Sequence, residues 1–214
     1  MDNKIKLIVV DDLKFSRTLF INSVRLMPHL HLEKAFETCD EALEYLEGHD
    51  VNLVIMDIMM RTGVDGLVAA RRIKEQKPYI KVILVTGTAE SKWMNEAKEI
   101  GAESFWYKEY SEEKLEDIIQ RTLAGESVYP DKVPDLPFGD TMKSALTERE
   151  LDVLRELTGG YSNQEIADRL EISVNTVRTH ITNMINKTGY ESRFDLALNA
   201  KALGAVVGST KKGE

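Results

Sequence analysis

The stretch Leu53-Val54-Ile55-Met56-Asp57 decides the fold of the first half of the chain. Four apolar residues in a row, two of them β-branched, predict a strand covered on both faces, as in a parallel sheet. We predict further strands at residues 5–10, 82–85, 104–107 and, weakly marked, 32–36. Amphipathic stretches with helical spacing lie between or after these runs, at 15–26, 40–47, 67–76, 92–100 and 112–123, the last with Ser111 as a plausible N-cap. The alternation predicts five βα units in an open, doubly wound α/β sheet.

A linker divides the chain. Residues 125–144 hold three of the five prolines and show neither helical nor alternating patterning. We therefore predict a domain at 1–124, a linker at 125–144 and a second domain at 145–214.

The second domain has only helical patterns, near residues 148–158, 163–170, 174–188 and 193–203. Each begins after a Ser or Thr that fits an N-cap, and two of these openings are capping boxes, Thr147-x-x-Glu150 and Ser162-x-x-Glu165. Because only three residues separate the second helix from the third, we predict a helix-turn-helix within an all-α, four-helix domain.

Composition narrows the class of protein. The 214 residues carry a net charge of −8, and the single cysteine, Cys39, allows no intrachain disulfide. No apolar run reaches the roughly 18 residues that span a bilayer, and the first residues do not resemble a secretion signal. We expect a cytoplasmic protein with no membrane partner.

Polar side chains follow the predicted strands where each one ends. Asp11 and Asp12 follow the first strand, Asp57 the third, Thr86 the fourth and Lys108 the fifth. The carboxyl ends of parallel strands form one rim, where ligands of α/β sheets bind. Each residue alone could be a turn, cap or solvated residue, but together they favour a site. Carboxylates that cluster in this way indicate a Mg²⁺ site. The Lys108 ammonium would then contact a phosphoryl oxygen.

The third helix of the second domain could read DNA, although residues 145–214 have a net charge of −1. Residues 172–190 contain no acid, and their cationic groups include Arg178 and Lys187. On a helix, four polar residues would share one face, opposite an apolar face of Val177, Ile181, Met184 and Ile185. The four polar residues are Asn175, Arg178, Thr179 and Thr182. The pattern suits a major-groove reader, and it also suits an ordinary amphipathic surface helix.

Residues 4–123 resemble the receiver domain of two-component response regulators. The motifs that carry the resemblance are Val9-Val10-Asp11-Asp12, Met56-Asp57, Asp65-Gly66, Thr86-Gly87 and Lys108. The resemblance implies the sheet order 2-1-3-4-5 and makes Asp57 the phosphoacceptor. It also implies Mg²⁺ held by Asp11, Asp12, Asp57 and the main-chain carbonyl of Met59.

The same resemblance assigns Thr86 and Lys108 to the phosphoryl group and Phe105 to the switch aromatic, which would turn inward on phosphorylation. The chain departs from the family in the loop of residues 58–64. Arg61 stands where receivers usually have proline, and Asp65-Gly66 comes one residue late. The shape of this loop is therefore open.

Residues 145–204 resemble the LuxR-type helix-turn-helix. The motifs are Leu146-Thr147-Glu148-Arg149-Glu150, Tyr161-Ser162-Asn163-Gln164-Glu165-Ile166-Ala167 and Val174-Asn175-Thr176-Val177-Arg178-Thr179-His180. The resemblance implies contacts to bases or backbone by Arg178, Thr179 and Thr182. It makes Asn163 and Thr176 candidate phosphate contacts. Leu196, Ala197, Ala200 and Lys201 match the family's dimer face, although the two alanines could equally pack inward.

The order receiver, linker, LuxR-type domain is similar to the NarL/FixJ type of response regulator. This implies a phosphorylation-dependent, sequence-specific transcriptional regulator, the output component of a two-component system, and not an enzyme. Expected partners are a sensor histidine kinase, an inverted-repeat promoter site bound by an active homodimer, and RNA polymerase as a further candidate. Two rivals remain. One is a phosphohydrolase of the haloacid-dehalogenase type, although Met59 stands where its second Asp is needed. The other is a DNA-binding protein whose receiver only dimerises.

Overall fold

The structure is a computed structural model that describes residues 4–108 and 110–207. Residues 1–3 at the start of the predicted first domain, Glu109, and residues 208–214 at the end of the predicted second domain lie outside the described part. The chain forms two compact units. The first comprises residues up to 87 together with 91–132, and the second comprises 88–90 together with residues from 133 onward.

The first unit contains a five-stranded parallel sheet in the order β2-β1-β3-β4-β5, which confirms the predicted fold class. The three inner strands are buried on both faces, because helices cover each side, and their apolar runs are the signal that the sequence displays. The strands are β1 Ile5–Val10, β2 Leu30–Phe36, β3 Leu53–Asp57, β4 Lys81–Thr86 and β5 Ser104–Tyr107.

In the described part of this unit, five helices follow the strands in turn, as the alternating pattern predicts. They are α1 Lys14–Arg25, α2 Cys39–Gly48, α3 Gly66–Gln76, α4 Ser91–Ile100 and α5 Leu115–Leu123. The predicted start of the last helix is wrong. Lys114 is its N-cap residue, while the Ser111 hydroxyl accepts a hydrogen bond from the Tyr107 amide (3.2 Å).

The segment after α5 has local structure of its own. Val128 is buried and forms a parallel bridge with Ser104 of β5, and the Phe105 amide donates to its carbonyl (2.9 Å). In the second unit, two short strands form an antiparallel hairpin, β6 Pro137–Phe138 with β7 Thr141–Met142, before a 3₁₀ turn at Lys143–Ala145. The predicted linker therefore carries pairing interactions at both ends.

The second unit has four α-helices among its described residues, as predicted. They are α6 Glu148–Thr158, α7 Asn163–Leu170, α8 Val174–Thr188 and α9 Arg193–Ala202. Both capping boxes form, at Thr147 with Glu150 and at Ser162 with Glu165. Glu171 ends α7 in the left-handed conformation (φ 54°), and this sharp turn produces the helix-turn-helix. Within the described ranges, none of the helices combines the length and apolarity that a membrane crossing needs.

Candidate phosphorylation site and nucleic-acid interface

Three carboxylates lie together at the carboxyl end of the sheet. Asp11 and Asp12 follow β1, and Asp57 is the last residue of the adjacent strand β3. Each offers a carboxylate oxygen within 4.8 Å of the other two. Asp11 is 0 % exposed, Asp57 3 % and Asp12 9 %. Three buried acids so close together need positive charge nearby.

Lys108 supplies one such charge. Its Nζ donates to Asp11 Oδ2 (2.7 Å) and to Asp57 Oδ2 (2.8 Å). Burial raises the pKa of Asp57 to about 6, although Lys108 opposes this rise. Burial also disfavours the Lys108 ammonium, but the two carboxylates outweigh that effect, so the pKa of Lys108 is raised. Asp57 thus holds its proton to a higher pH than an ordinary aspartate and titrates with a pKa of about 6.

Thr86 and Phe105 lie on β4 and β5, the two strands that follow β3 in the sheet. Thr86 is fully buried at the end of β4, and its carbonyl accepts a hydrogen bond from the Lys108 amide (2.9 Å), which ties the ends of β4 and β5 together. Phe105 is 0 % exposed. The ring stacks at 6.2 Å between centroids with Tyr129, which follows the bridged residue Val128.

The loop of residues 58–64 lies over the cluster, and Arg61 holds it there. The Arg61 amide and Nε both donate to Asp12 Oδ2, at 3.0 and 2.7 Å, and Nη2 donates to the Asp12 carbonyl (3.0 Å). Gly63 is left-handed (φ +78°), and the next amide, of Val64, donates to Asp40 Oδ2 (3.0 Å). These contacts give the extra residue of the loop a defined path.

Asp65 and Gly66 connect this loop to α3. Asp65 is the N-cap residue and accepts from the Val68 amide (2.9 Å). A Cβ on Gly66 would lie 2.0 Å from the Asp57 carbonyl oxygen, so only glycine fits beneath the end of β3. The Asp-Gly pair therefore sets how closely α3 approaches Asp57.

The donor set fits Mg²⁺, which binds through carboxylate and carbonyl oxygens. Asp11, Asp12 and Asp57 bring such oxygens together. Met59 belongs to the same turn, because its amide donates to Asp57 Oδ1 (3.3 Å).

Helix α8 presents the predicted polar face. Asn175, Thr176, Arg178, Thr179 and Thr182 are all exposed. On the opposite side Val177, Ile181 and Met184 are buried, and Ile185 is half-buried. Two of the hydroxyls already make local bonds, Thr176 with the Ser173 hydroxyl (2.8 Å) and Thr179 with the Asn175 carbonyl (3.0 Å).

Two cationic side chains on or near this helix have partners that the sequence does not reveal. Lys187 points at α6, where it pairs with the buried carboxylate of Glu150 (2.7 Å), so its charge is neutralised. Arg193, at the start of α9, donates to the side-chain oxygen of Asn163 (2.8 Å) and to the Tyr161 carbonyl (2.9 Å). It places a cation beside a predicted phosphate contact.

The family's dimer face maps only partly onto the surface of α9. Leu196 and Ala200 are fully buried inside the unit, so they pack inward. Lys201 is exposed and Ala197 half-buried. Phe194 and Leu198, four residues apart, are exposed.

Sequence reasoning missed the contacts of Arg61 and Arg193. Arg61 was visible only as a departure from the receiver pattern, and Arg193 only as a basic residue after the Ser192 N-cap. Their partners are 49 and 30 residues away along the chain, beyond the reach of local patterning.

Comparison with known proteins assigns a family to each of the two domains. Residues 7–120 match the response regulator receiver domain, and residues 144–200 match the bacterial regulatory proteins of the luxR family. The response regulator protein VraR of Staphylococcus aureus, in strains Mu3 and MSSA476, is 30% identical over 201 residues, covering 92% of this chain and 96% of the relative.

Solved structures share the fold. RcsB from Salmonella enterica serovar Typhimurium, bound to promoter P1flhDC with the phosphomimetic BeF₃⁻, superposes with a TM-score of 0.59 at 21% identity, covering 93% of this chain and all of the other. An RcsB–DNA complex gives 0.58 at 20% identity, covering 94% and 99%. At these identities the likeness shows the fold alone. The two family matches and the full-length relatives show that the chain belongs to the response regulators, as a transcription factor with a receiver domain and a LuxR-type DNA-binding domain.

Proposed function

We propose that Asp57 accepts a phosphoryl group from a sensor histidine kinase and that this controls promoter binding by a dimer. The observation that carries the proposal is the buried cluster in which Asp57 lies between Asp11, Asp12 and the Lys108 ammonium. No histidine, cysteine or lysine nucleophile is needed, because the carboxylate itself can form an acyl phosphate.

Asp57 is the best placed of the three acids to react. It stands on the central strand β3 and its Oδ1 accepts from the Met59 amide, so its carboxylate is held in one orientation. Asp11 is fully buried, and Asp12 is engaged by Arg61. One Asp57 oxygen would bond to phosphorus while the donor's leaving group takes the electron pair. Lys108, with Thr86, would then meet the transferred oxygens.

Mg²⁺ is the proposed cofactor, with Asp11, Asp12, Asp57 and the Met59 carbonyl as its ligands. When bound, it would neutralise carboxylates and orient phosphoryl oxygens. The three oxygens within 4.8 Å of one another support this assignment. Asp12→Asn should therefore weaken Mg²⁺ binding, measured by calorimetry, while the receiver unit stays folded.

Helix α8 is the proposed reading helix. Arg178, Thr179 and Thr182, with Asn175, would face the major groove, and Asn163 and Thr176 would contact phosphate. Arg193 supports the role of Asn163, because it fixes the oxygen of that amide and leaves the NH₂ group to donate. Since one such helix reads few base pairs, a two-fold dimer on an inverted repeat would supply specificity. RNA polymerase would be the next partner in transcription.

Intact mass after incubation with acetyl phosphate and Mg²⁺ tests the phosphoacceptor. The protein should gain one phosphoryl mass and Asp57→Asn none. Asp65→Asn is the matched control, because asparagine is an equally good N-cap and α3 keeps its start. A phosphoryl mass on Asp57→Asn would show that another residue reacts. No phosphorylation of the unaltered protein would favour a receiver that only dimerises.

DNA binding is tested with Arg178→Ala, using Arg149→Ala as a control that removes the same charge from exposed α6 surface. If Arg178 contacts phosphate, affinity should fall for all sequences and the salt slope should shrink by about one. If it contacts a guanine, the loss should be about 1–3 kcal/mol at one base position. Equal effects of the two variants would place the reading surface elsewhere.

A further inference from the structure

Arg61 occupies a position that a metal ion would contest. Two of its N–H groups converge on a single carboxylate oxygen, Asp12 Oδ2, and a third binds the Asp12 carbonyl. Asp12 is one of the three clustered acids. A carboxylate oxygen that accepts two hydrogen bonds has both of its lone-pair positions occupied, so a cation must displace a donor to bind that oxygen.

The two partners differ in how firmly the structure holds them. The Asp12 side chain is 7 % exposed, whereas the Arg61 side chain is 70 % exposed. The carboxylate is buried in the site, whereas the guanidinium is already largely hydrated and can move fully into water at small cost. The ion pair is therefore built to open from the Arg61 side.

Charge balance points the same way. Asp11, Asp12 and Asp57 carry three negative charges if all are ionised, and Lys108 and Arg61 contact them with two positive ones. Lys108 binds Asp11 and Asp57, so among the residues that the structure describes Arg61 is the cation paired with Asp12. A divalent ion entering the cluster would make the guanidinium redundant at Asp12 and would be repelled by it while it stays.

We propose that the Arg61 guanidinium is a built-in competitor of Mg²⁺: it neutralises Asp12 in the metal-free protein, and its Nε must leave Asp12 Oδ2 before the metal binds there. Arg61 thereby raises the Mg²⁺ concentration at which the site fills. This inference rests on the proposed Mg²⁺ site and concerns its occupancy, not the phosphoryl transfer itself.

The test is the Mg²⁺ dissociation constant of the full chain, measured by calorimetry without a phosphoryl donor. Arg61→Met keeps the aliphatic stem and removes the charge. Arg17→Met is the matched control, because Arg17 Nη1 binds only the main-chain carbonyl of Asp11 (2.7 Å) and its guanidinium pairs with Glu37. Both variants lose one positive charge close to the cluster, but only Arg61→Met removes a side-chain donor from a carboxylate oxygen, Asp12 Oδ2, which keeps its bond from the main-chain amide of residue 61. Thermal unfolding without metal checks that each variant folds.

Arg61→Met should bind Mg²⁺ about tenfold more tightly, and Arg17→Met should differ from the unaltered protein by less than about twofold. Tenfold equals about 1.4 kcal/mol, the scale of a hydrogen bond to a charged group. Equal affinities of Arg61→Met and the unaltered protein, or weaker binding by Arg61→Met, would overturn the competition and leave the metal site standing. Equally tighter Mg²⁺ binding by both variants would show that loss of any nearby positive charge is enough, and would also overturn the competition at Asp12. If no chain binds Mg²⁺, the metal site itself fails, and the competition with it.

Discussion

Replacing Lys108 with methionine should destabilise the receiver unit, and Mg²⁺ should restore much of the loss. Methionine fills a similar volume but leaves Asp11 and Asp57 facing one another without the ammonium that lies 2.7 and 2.8 Å from them. All three side chains are at most 11 % exposed, so water cannot replace the missing charge.

The size of the loss follows from that burial. Each contact is worth about 6 kcal/mol by Coulomb's law at an effective dielectric constant of about 20. The ammonium's own desolvation offsets much of this, and removing one partner of a buried pair costs about 3–5 kcal/mol. We expect a loss near the lower figure at pH 8. At 100 times its dissociation constant, Mg²⁺ should return about 2.7 kcal/mol.

Acid should shrink the same loss. The pKa of Asp57 is raised from 3.8 to about 6 in the folded protein. The native state therefore takes up a proton as pH falls through 6, while the unfolded chain does so only near 4. Stability contributed by this group falls as pH rises across that window. At pH 5 Asp57 is mostly neutral, so the absence of Lys108 should matter less than at pH 8.

Urea denaturation followed by tryptophan fluorescence measures these differences. Both tryptophans, Trp93 and Trp106, lie in the first unit, so the signal reports the receiver. Lys74→Met is the matched control: its ammonium is 13 % exposed and pairs with one carboxylate, Glu103, that is 26 % exposed. A loss in Lys108→Met below about 1 kcal/mol at pH 8 without metal, or no recovery with Mg²⁺, would refute the reasoning.

Three further outcomes are expected. Gly66→Ala should slow phosphorylation by acetyl phosphate at least tenfold and cost about 1–3 kcal/mol, because its Cβ would lie 2.0 Å from the Asp57 carbonyl oxygen; an unchanged labelling rate would contradict this. Glu150→Gln should release Lys187 from its ion pair and steepen the salt dependence of nonspecific DNA binding by about one, which a filter-binding series at several salt concentrations would reveal or deny. In metal-free protein the Asp57 carboxyl ¹³C signal should titrate with a midpoint near pH 6, and a midpoint near 4 would argue against its burial.

The order of the elements was predictable from the sequence because its signals are local. Apolar runs mark the strands of a sheet covered on both faces, and the Thr147 and Ser162 capping boxes mark helix starts to the residue. The start of α5 was predicted wrongly at 112. The Ser111 hydroxyl, the expected cap, bonds to the end of β5 instead. The pairing of Val128 with β5 was not predicted, since it depends on a strand 24 residues earlier.

In the candidate site, too, some contacts could be predicted from the sequence and others could not. The sequence alone predicts that four polar residues share one rim, because each follows a parallel strand and such strands end at the same edge of the sheet. These residues are Asp11, Asp57, Thr86 and Lys108. The place of Arg61 could not be predicted, since its contact with Asp12 depends on the path of a loop whose length departs from the receiver pattern. Likewise, the amino-acid sequence shows Lys187 as a positive charge, and only the packing of α8 against α6 neutralises it with Glu150.

The bridge at Val128 determines which receiver fragments keep the edge of β5 covered. Strand β5 is the outer strand of the sheet, and such a strand offers unpaired amides and carbonyls to any neighbouring chain. Val128 covers part of that row, because its carbonyl accepts from the Phe105 amide and its amide donates to the Glu103 carbonyl. A fragment ending at residue 124 would expose these groups and become prone to edge-to-edge aggregation. A protease that cleaves after residue 132 would instead release a receiver whose outer strand is still capped.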